Sequence, residues 1–394
     1  MASKDKPYRV YRGGRARGHV DSPQAPPGAG VAWHDEGPGG PGVTPPPARS
    51  RRRKRRWALL AVGVVVIAGL LAAGWGALGY LAFRSGVDDA NRRLDERAFL
   101  ALSPQKGALF SSPTNFLLIG GDSGAAGREG RGRSDALILV RTDPGEHRIV
   151  LLSIPRDLRV EIPGHGLDKI NAAYALGGPA LAIETVENLT GLTVNHVAVV
   201  DFATFPEVID AFDGVTIDVP KRIVSNRFDC PFASQAECAR WPGWRFPAGR
   251  QRMDGRRALV YARIRQNQLD PGESDITRGG RQQQVVQAIA DKAASLDTFL
   301  RLPFIGDDLA APLATDLSAW ELMQLGWVKF RAPNESTLRC RLGGVGVEIG
   351  GGAYIVGSEE NVAVIAMVEG KTAPQPPSPS GGPFAPGCLV GADA

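Results

Sequence analysis

An uncharged run of 27 residues, from Trp57 to Phe83, constrains this chain more than any other feature. A helix that crosses the hydrocarbon core of a bilayer needs about 20 apolar residues. The run therefore predicts one transmembrane helix over residues 57–83, with Trp57, Trp75 and Tyr80 suited to the membrane interfaces. A cleavable signal peptide is the alternative, but the run is long and begins late for one.

The charge of the chain is divided at this run. Residues 1–56 contain 13 Lys/Arg against 4 Asp/Glu, about +9, whereas the remainder contains 33 against 37, or −4. The basic cluster 51–56 precedes the run directly, so the positive-inside rule places it in the cytoplasm and everything after Phe83 outside. Rich in Gly, Pro and Arg, residues 1–56 predict a disordered cytoplasmic tail. The acidic outer part disfavours a nucleic-acid partner.

The outer part reads as one domain with two appendages. Residues 84–113 predict a stalk or linker, residues 114–370 a globular domain, and residues 371–394 a tail rich in Pro, Ser and Gly. Strand patterns such as NFLLIG, ALILVRT and RIVLLSI are followed by alternating helix and strand patterns. This predicts a layered α/β/α domain with a mixed central sheet, anchored by the N-terminal transmembrane helix.

Four cysteines follow the membrane run, and an even count in an oxidising compartment suggests two disulfides. Cys230 and Cys238 flank a short loop and could pair locally, which would leave Cys340 with Cys388. The sequence leaves the connectivity open, along with the alternative of four free thiols. No spacing resembles a zinc site.

Two carboxylates lie at predicted strand ends. Asp122 follows the first strand and Asp135 opens the second. Magnesium is typically bound by one or two carboxylates together with water and substrate phosphates, so the pair could share one hard cation. The alternative is that both are turn and cap residues. The Gly-rich link between them matches no Walker or Rossmann fingerprint.

Side chains suited to a phosphate occur at later element ends, namely Arg156 after the third strand, Arg263 and Arg265 at the end of a helix, and Arg278, Arg281 and Gln282 at the start of the next helix. The amides and dipole of a helix N-terminus favour anions, and guanidinium groups bind phosphate oxygens in pairs. The set predicts a phosphate or pyrophosphate site. For any one of these arginines alone, a solvated surface charge is the better explanation, and only the group together favours a phosphate site. By pattern alone, Lys169 and Asn171 are helix-capping residues.

Several motifs occur in order between about Thr114 and Ala294, namely NFLLIGGDS, GRSDALIL, LLSIPRDLRVEIPGHGLDKINAAYALGG, VDFATFPEVIDAFDGVTIDVP and RGGRQQQ. Together they resemble the LytR–CpsA–Psr family. The single membrane helix behind a short basic segment also resembles that family, and the Ala-, Gly-, Pro- and Arg-rich composition is typical of an actinobacterial member.

The resemblance implies a membrane-anchored phosphotransferase that works outside the cytoplasmic membrane in cell wall assembly. Members of the family take a glycopolymer from a polyprenyl pyrophosphate carrier and join it to peptidoglycan. The acceptor is the C6 hydroxyl of a muramic acid residue, and the new bond is a phosphodiester. The implied cofactor is Mg²⁺, with Mn²⁺ as the alternative. The implied partners are the lipid-linked glycopolymer, peptidoglycan and membrane lipid, and no nucleic acid.

The resemblance also assigns roles to residues. Asp122 and Asp135 would hold the metal. The implied catalytic residues are Arg156, Arg263, Arg265, Asp275, Arg278 and Arg281. The implied substrate-binding residues are Arg133, Asp157, Lys169, Asn171 and Gln282. One departure matters: Thr277 stands where the family usually has Gly, and Asp270 competes with Asp275, so the identity of a general base stays open.

Two other functions remain open at this stage. The same phosphate site with water as acceptor would make a pyrophosphohydrolase. A regulator acting through the basic cytoplasmic tail is the second, although the tail has no helix-turn-helix pattern. The resemblance also implies an apolar tunnel for the polyprenyl chain, whose lining the sequence does not identify.

Overall fold

The computed structural model describes residues 49–121, 132–226, 230–270, 273, 275–310 and 312–391, with backbone alone for 49–54, 275 and 276. The predicted disordered tail therefore lies almost entirely outside the described residues. The helices are α1 (Arg49–Arg93), α2 (Glu96–Ala101), α3 (Asn171–Thr190), α4 (Phe205–Ala211), α5 (Gln235–Arg240), α6 (Gly255–Arg263), α7 (Asp275–Ala293), α8 (Leu296–Ile305), α9 (Ala319–Arg331) and α10 (Glu360–Val368).

The strands are β1 (Thr114–Gly121), β2 (Ser134–Asp143), β3 (Arg148–Ser153), β4 (Leu158–Ile162), β5 (Gly166–Lys169), β6 (His196–Asp201), β7 (Val215–Val219), β8 (Ile223–Val224), β9 (Arg245–Phe246), β10 (Gly249–Met253), β11 (Leu313–Thr315), β12 (Leu338–Arg341), β13 (Gly344–Ile349), β14 (Gly352–Gly357) and β15 (Gly387–Val390).

A seven-stranded sheet with the order β11-β6-β1-β2-β3-β12-β15 forms the centre of the domain. Strand β1 is parallel to β6 and β3 is parallel to β12, whereas β2 runs antiparallel to both β1 and β3. The sheet is therefore mixed, as predicted. A second sheet, β13-β14-β4-β5, adjoins it, and β7 with β10 and β8 with β9 form two small ribbons.

Both faces of the central sheet are buried, which explains the nearly continuous apolar runs of its strands. Alternate side chains of β1 divide between the faces: Leu117 joins a core with α3 and α10, and Leu118 joins a core that reaches Val286 of α7. The result is the predicted α/β/α layering, with α3 and α10 on one face and α7 on the other.

Among the described residues, one helix is long and apolar enough to cross a membrane. This helix, α1, contains the predicted span over residues 57–83. The predicted stalk behaves differently from a free-standing linker. Val87 and Ala90 of α1 are buried against Ala310 and Ala319, so this part of residues 84–113 packs on the domain.

The C-terminal segment, predicted as a tail over residues 371–394, contributes a strand to the domain. β15 pairs antiparallel with β12, and Cys388 lies opposite Cys340 in this ladder. The Pro-, Ser- and Gly-rich composition belongs to the segment that leads to β15. It does not reveal the four residues of β15 that pair with β12.

Two disulfides form, Cys230–Cys238 and Cys340–Cys388. The prediction of two bridges is confirmed, and of the pairings left open the local one is present. Cys340 and Cys388 are buried in the core beside α10, whereas Cys230 lies in the exposed segment before α5 and Cys238 within α5. The first bridge closes a short loop, and the second fixes the last strand to the sheet.

We expect the two bridges to contribute unequally to stability. They close sequence separations of 8 and 48 residues, for which loop-closure entropy gives about 2.5 and about 4 kcal/mol. Cys340→Ser with Cys388→Ser should therefore lower the free energy of unfolding more than Cys230→Ser with Cys238→Ser. Denaturant unfolding of the full-length protein, followed by circular dichroism, measures both losses. A larger loss for the pair 230–238 would contradict this account.

Candidate functional site

The candidate residues gather at one edge of the central sheet. Because β1, β3, β6 and β12 run in the same direction, their carboxyl ends meet at that edge, where β2 begins. In α/β sheets this edge is where ligands bind. Asp135 opens β2, Arg156 and Asp157 follow β3, and Phe202 follows β6.

A row of alternating charges forms the centre of the site. Arg156 donates from Nη1 to Asp135 Oδ1 at 2.6 Å and from Nε to Asp157 Oδ2 at 3.3 Å. Lys169 Nζ donates to the other oxygen of Asp157 at 2.8 Å. All four side chains are partly buried, so these pairs are less screened by water than surface pairs. The guanidinium of Arg156 is thus held in one orientation by two carboxylates.

The backbone around this row is fixed by the start of α3. The amide of Asn171 donates to the carbonyl of Arg156 at 3.2 Å, and the amide of Ile170 donates to that of Leu158 at 2.8 Å. Lys169 also lies over the ring of Tyr354, 5.1 Å from its centroid. The side-chain oxygen of Asn171 is buried and accepts no hydrogen bond from a described residue.

The first turn of α7 rests on the end of β3. A Cβ at Gly279 would lie 2.7 Å from Ser153 Oγ, so the backbone of α7 approaches this serine closely. Arg278 is the adjacent residue and is buried. Further along the helix, Gln283 Nε2 donates to the carbonyls of Leu151 and Cys340, each at 2.9 Å. These contacts bring the α7 N-terminus to the same edge as Arg156.

The side chain of Arg281 forms hydrogen bonds inside the protein. It donates from Nη1 to Glu273 Oε2 at 2.7 Å and from Nη2 to the carbonyl of Ile264. Both partners of the ion pair are buried. Arg281 thereby ties the end of α6 and the preceding loop to α7. The sequence reasoning missed Glu273, because it lies in a loop with no helical spacing to Arg281.

The two arginines at the end of α6 lie apart. Arg263 stacks over the ring of Phe202 at 5.7 Å from its centroid, and that ring covers Gly120, where a Cβ would lie 2.8 Å from it. Arg265 Nη2 lies 3.9 Å from Asp135 Oδ1. Arg263 therefore belongs to the β1–β6 end of the edge, and Arg265 reaches the charged row itself.

Tyr261 positions α6 against α7. Its hydroxyl donates to Gln284 Oε1 at 2.6 Å, and its ring packs on Phe246 at 5.4 Å between centroids. The side chain is fully buried, and this burial raises the pKa of the phenol to about 12. Because α6 carries Arg263 and α7 carries Arg278, the bond fixes the two arginine-bearing helices relative to each other.

A cavity of about 140 Å³ lies beside the first turns of α7. Its lining includes Ser153, Thr277, Arg339 and Arg341. Arg341 Nε donates to the carbonyl of Ala385 at 2.8 Å. Burial lowers the pKa of both arginines from the usual value, although guanidinium groups stay protonated in proteins. The sequence reasoning missed this pair, although the Arg-Cys-Arg alternation places both on one face of β12.

The remaining predicted residues are placed as follows. Asp122 lies outside the described residues, as does the side chain of Asp275, whose backbone begins α7. Arg133 is exposed before β2, and Gln282 is buried in α7. Asp270, the competing base, pairs with Lys221.

The described residues could bind a metal ion only together with substrate oxygens. They contain no cluster of three or more His, Cys, Asp or Glu side chains suited to an ion. One oxygen of Asp135 accepts the bond from Arg156. Its carboxylate is nevertheless a hard oxygen ligand at the edge where phosphate oxygens would lie. That suits Mg²⁺ bound by one or two carboxylates and by the substrate, and not a cage made of protein alone.

The LytR_cpsA_psr family model matches residues 80–367. The chain belongs to the LytR–CpsA–Psr family. The polyisoprenyl-teichoic acid–peptidoglycan teichoic acid transferase TagU of Oceanobacillus iheyensis is 29% identical over 323 residues, covering 80% of this chain and 93% of the relative. The regulatory protein MsrR of Staphylococcus aureus is 31% identical over 248 residues, covering 62% of this chain and 68% of the relative.

A solved LytR–CpsA–Psr structure carries a ligand. The protein YwtF (TagT) of Bacillus subtilis, with bound octaprenyl pyrophosphate lipid, is similar with a TM-score of 0.50 and 27% identity. The match covers 68% of this chain and 92% of that one.

Tyr261→Phe should change the alkaline stability in a defined way. A phenol with an ordinary pKa of 10.0 that is raised to about 12 by folding adds stability below pH 10. Between pH 10 and pH 12 this group lowers the free energy of unfolding by about 1.4 kcal/mol per pH unit. The variant lacks this loss, so the stability difference between wild type and Tyr261→Phe should shrink as pH rises.

Denaturant unfolding of both proteins across this pH range measures the difference, and Tyr354→Phe serves as the control because Tyr354 is only partly buried. A stability difference that stays constant through the range would show that Tyr261 titrates like an unfolded tyrosine.

Proposed function

We propose that this protein is a membrane-anchored, extracytoplasmic phosphotransferase. It transfers a glycopolymer from a polyprenyl pyrophosphate carrier to peptidoglycan and makes a phosphodiester to the C6 hydroxyl of a muramic acid residue. The proposal draws on the family and on the relatives named as transferases. The structural observation that carries it is Arg156, fixed between Asp135 and Asp157 at the ligand-binding edge of the sheet.

The cations around Arg156 supply the charge that a pyrophosphate requires. Lys169 and Arg265 each contact a carboxylate that borders Arg156, and the α7 N-terminus with Arg278 rests on the end of the same strand. Fixed guanidinium groups and helix amides bind phosphate oxygens with defined geometry. Because the groups are held before substrate binds, little reorganisation is needed when charge develops on the transferring phosphate.

The proposed reaction is a displacement at the glycan-linked phosphorus. The acceptor hydroxyl oxygen forms a bond to that phosphorus, the bond from phosphorus to the bridging oxygen breaks, and polyprenyl phosphate leaves with the bond's electron pair. The hydroxyl proton passes to a base, for which Asp275 is our candidate and Asp270 the competitor. Such transfers depend on positioning and charge neutralisation more than on covalent help from the protein.

Mg²⁺ is part of the proposal. Asp135, together with Asp122, would hold the ion against the pyrophosphate oxygens, and the ion would neutralise part of their charge. Arg133, Asn171 and Gln282 stay in the proposal as substrate-binding residues. Arg263 stays in the proposal as a cation of the site, at the end of the sheet edge where β1 and β6 finish. Arg281 contributes indirectly, by holding the loop before α7 in place.

The proposed topology follows from charge and redox chemistry. The basic cluster before the apolar run favours a cytoplasmic N-terminus. The two disulfides, which form where thiols are oxidised, favour a domain outside the membrane.

Arg156→Ala and Arg278→Ala should each reduce glycopolymer transfer by roughly 10²–10³-fold, the usual cost of losing one donor to a developing oxyanion. Arg156→Lys should recover only part of the loss, because an ammonium lacks the paired donors. Arg250→Ala, an exposed residue of β10, is the matched control. The measurement is attachment of a radiolabelled lipid-pyrophosphate glycan to peptidoglycan fragments by the full-length protein.

The same assay separates the alternatives. A transferase gives a product that requires peptidoglycan, whereas a pyrophosphohydrolase releases the phosphate-capped glycan at the same rate without it. A purely regulatory protein gives neither product. Normal transfer by both alanine variants would rule out this edge as the site.

Removal of divalent metal should abolish most of the transfer, and added Mg²⁺ should restore it. Asp135→Asn should raise the Mg²⁺ concentration needed for half-maximal transfer, because a carboxylate ligand is replaced by a weaker amide oxygen. Glu161→Gln, at an exposed position of β4, is the control. Full activity in the presence of a strong chelator would remove the metal from the proposal and leave the arginines to neutralise the phosphate alone.

A further inference from the structure

Helix α8 leaves an apolar stripe exposed. The stripe follows the i, i+3, i+4, i+8 spacing of one helical face and consists of Leu296, Phe299, Leu300 and Phe304. Leu296 is 72% exposed and Phe304 70%. The opposite face is already buried, since Leu302 and Ile305 pack with Val208 and Phe212. A surface helix normally turns its apolar face inward and its polar face outward, whereas α8 has a second apolar face that no described part of the chain covers.

The stripe is fixed beside the apolar part of α1. Trp75 Nε1 donates to the carbonyl of Leu300 at 3.1 Å, and the ring of Trp75 meets that of Phe304 edge-on at 5.5 Å between centroids. Glycines allow the helices to approach closely: a Cβ at Gly79 would lie 3.1 Å from Leu302, and one at Gly306 2.6 Å from the backbone of Phe83. Phe304 and Leu300 therefore lie level with Trp75.

The level of Trp75 follows from the sequence. Trp57 and Trp75 are 18 residues apart, which corresponds to about 27 Å of helix. This nearly matches a hydrocarbon core of about 30 Å. Tryptophans concentrate at the two membrane–water interfaces, so this pair marks both of them, and Trp75 marks the outer one.

We propose that α8 lies in the outer membrane–water interface, with its stripe against the lipid acyl chains. The occupant of the stripe is the bilayer that α1 enters, because the stripe continues the apolar surface of α1 at the depth of Trp75. The polar groups of α8 fit this position: Asp297 pairs with Lys292 at 2.8 Å, and Arg301 donates to the carbonyl of Ala211. Amphipathic helices bind in this plane, about 5–10 Å into the interface.

This docking sets a height for the candidate site. Helix α7 ends directly before α8 and carries Arg278 in its first turn, 17 residues before Ser295. Its length places that arginine at most about 25 Å above α8 along the helix axis. This consequence for a lipid-linked substrate rests on the proposed function, whereas the docking itself requires only that α1 span a bilayer.

Photo-crosslinking in a membrane tests the proposal. Benzoylphenylalanine replaces Phe299 or Phe304 in the full-length protein, which is reconstituted in vesicles of phosphatidylglycerol and phosphatidylethanolamine with tritiated acyl chains. Val362 of α10, which is likewise exposed, at 72%, is the matched control. Val65 in the middle of the apolar run is the positive control. Intact disulfides, checked by mass spectrometry, confirm that each variant is folded.

We expect the variants with benzoylphenylalanine at 299 and 304 to carry several times more labelled lipid than the variant at 362. The variant at 65 should be labelled in every preparation. Crosslinks at 299 and 304 to a second copy of the chain would assign the stripe to an oligomer interface and overturn the proposal. Absence of lipid at both positions while 65 is labelled would overturn it as well. Neither result depends on transferase activity, so the docking and the reaction can fail separately.

Discussion

One buried amide holds the site together. Gln283 of α7 donates two hydrogen bonds to carbonyls of adjacent parallel strands, β3 and β12. A buried polar group left unpaired costs about 1–3 kcal/mol, so these bonds strongly favour one position of α7 on the sheet. That position brings Gly279 against Ser153 and the N-terminus of the helix to the edge where β3 delivers Arg156. The site geometry follows from how this helix sits on the sheet.

The charged row has a geometric role more than a stabilising one. Partly buried ion pairs contribute little net stability, because the loss of hydration offsets the attraction. Their effect here is to orient the guanidinium of Arg156 from two sides and to place Lys169 behind it. A guanidinium held in this way needs no reordering when a phosphate arrives. Arg281 lies in the same helix as Arg278 but has a structural role, because the buried carboxylate of Glu273 neutralises its charge.

Sequence reasoning predicted what depends on local pattern. The strands β1 to β3, the layers and the position of Arg156 at a strand end follow from alternation and from Pro155, and Asp135 could be placed beside it because sequential strands usually pair. Contacts made by loops that fold back were out of reach. Glu273 reaches Arg281 from an irregular segment, and Asn171 supports Arg156 through its backbone amide. These contacts have no periodicity, so no spacing rule reveals them.

Composition misled in one place for a physical reason. A segment rich in Pro, Ser and Gly buries little apolar surface, so residues 371–394 have the composition of a tail. A strand of four residues needs no such surface when a disulfide and a sheet edge hold it, and β15 has both. Arg339 and Arg341 could not be foreseen as cavity residues, because arginine in a strand is usually exposed, whereas here Arg339 is buried and Arg341 partly buried.

The pairing of β15 has a consequence for the order of assembly. Cys388 of this strand follows Cys340 of β12 by 48 residues in the sequence, yet the strand covers the β12 edge of the central sheet, and Gly387 and Leu389 line the cavity beside α7. Its fixation by Cys340–Cys388 requires that β15 has paired with β12 and that an oxidant is present. A chain whose thiols are kept reduced therefore lacks the bridge that fixes one wall of the cavity beside the candidate site. The redox state of two cysteines far apart in the sequence thus bears directly on the shape of that cavity.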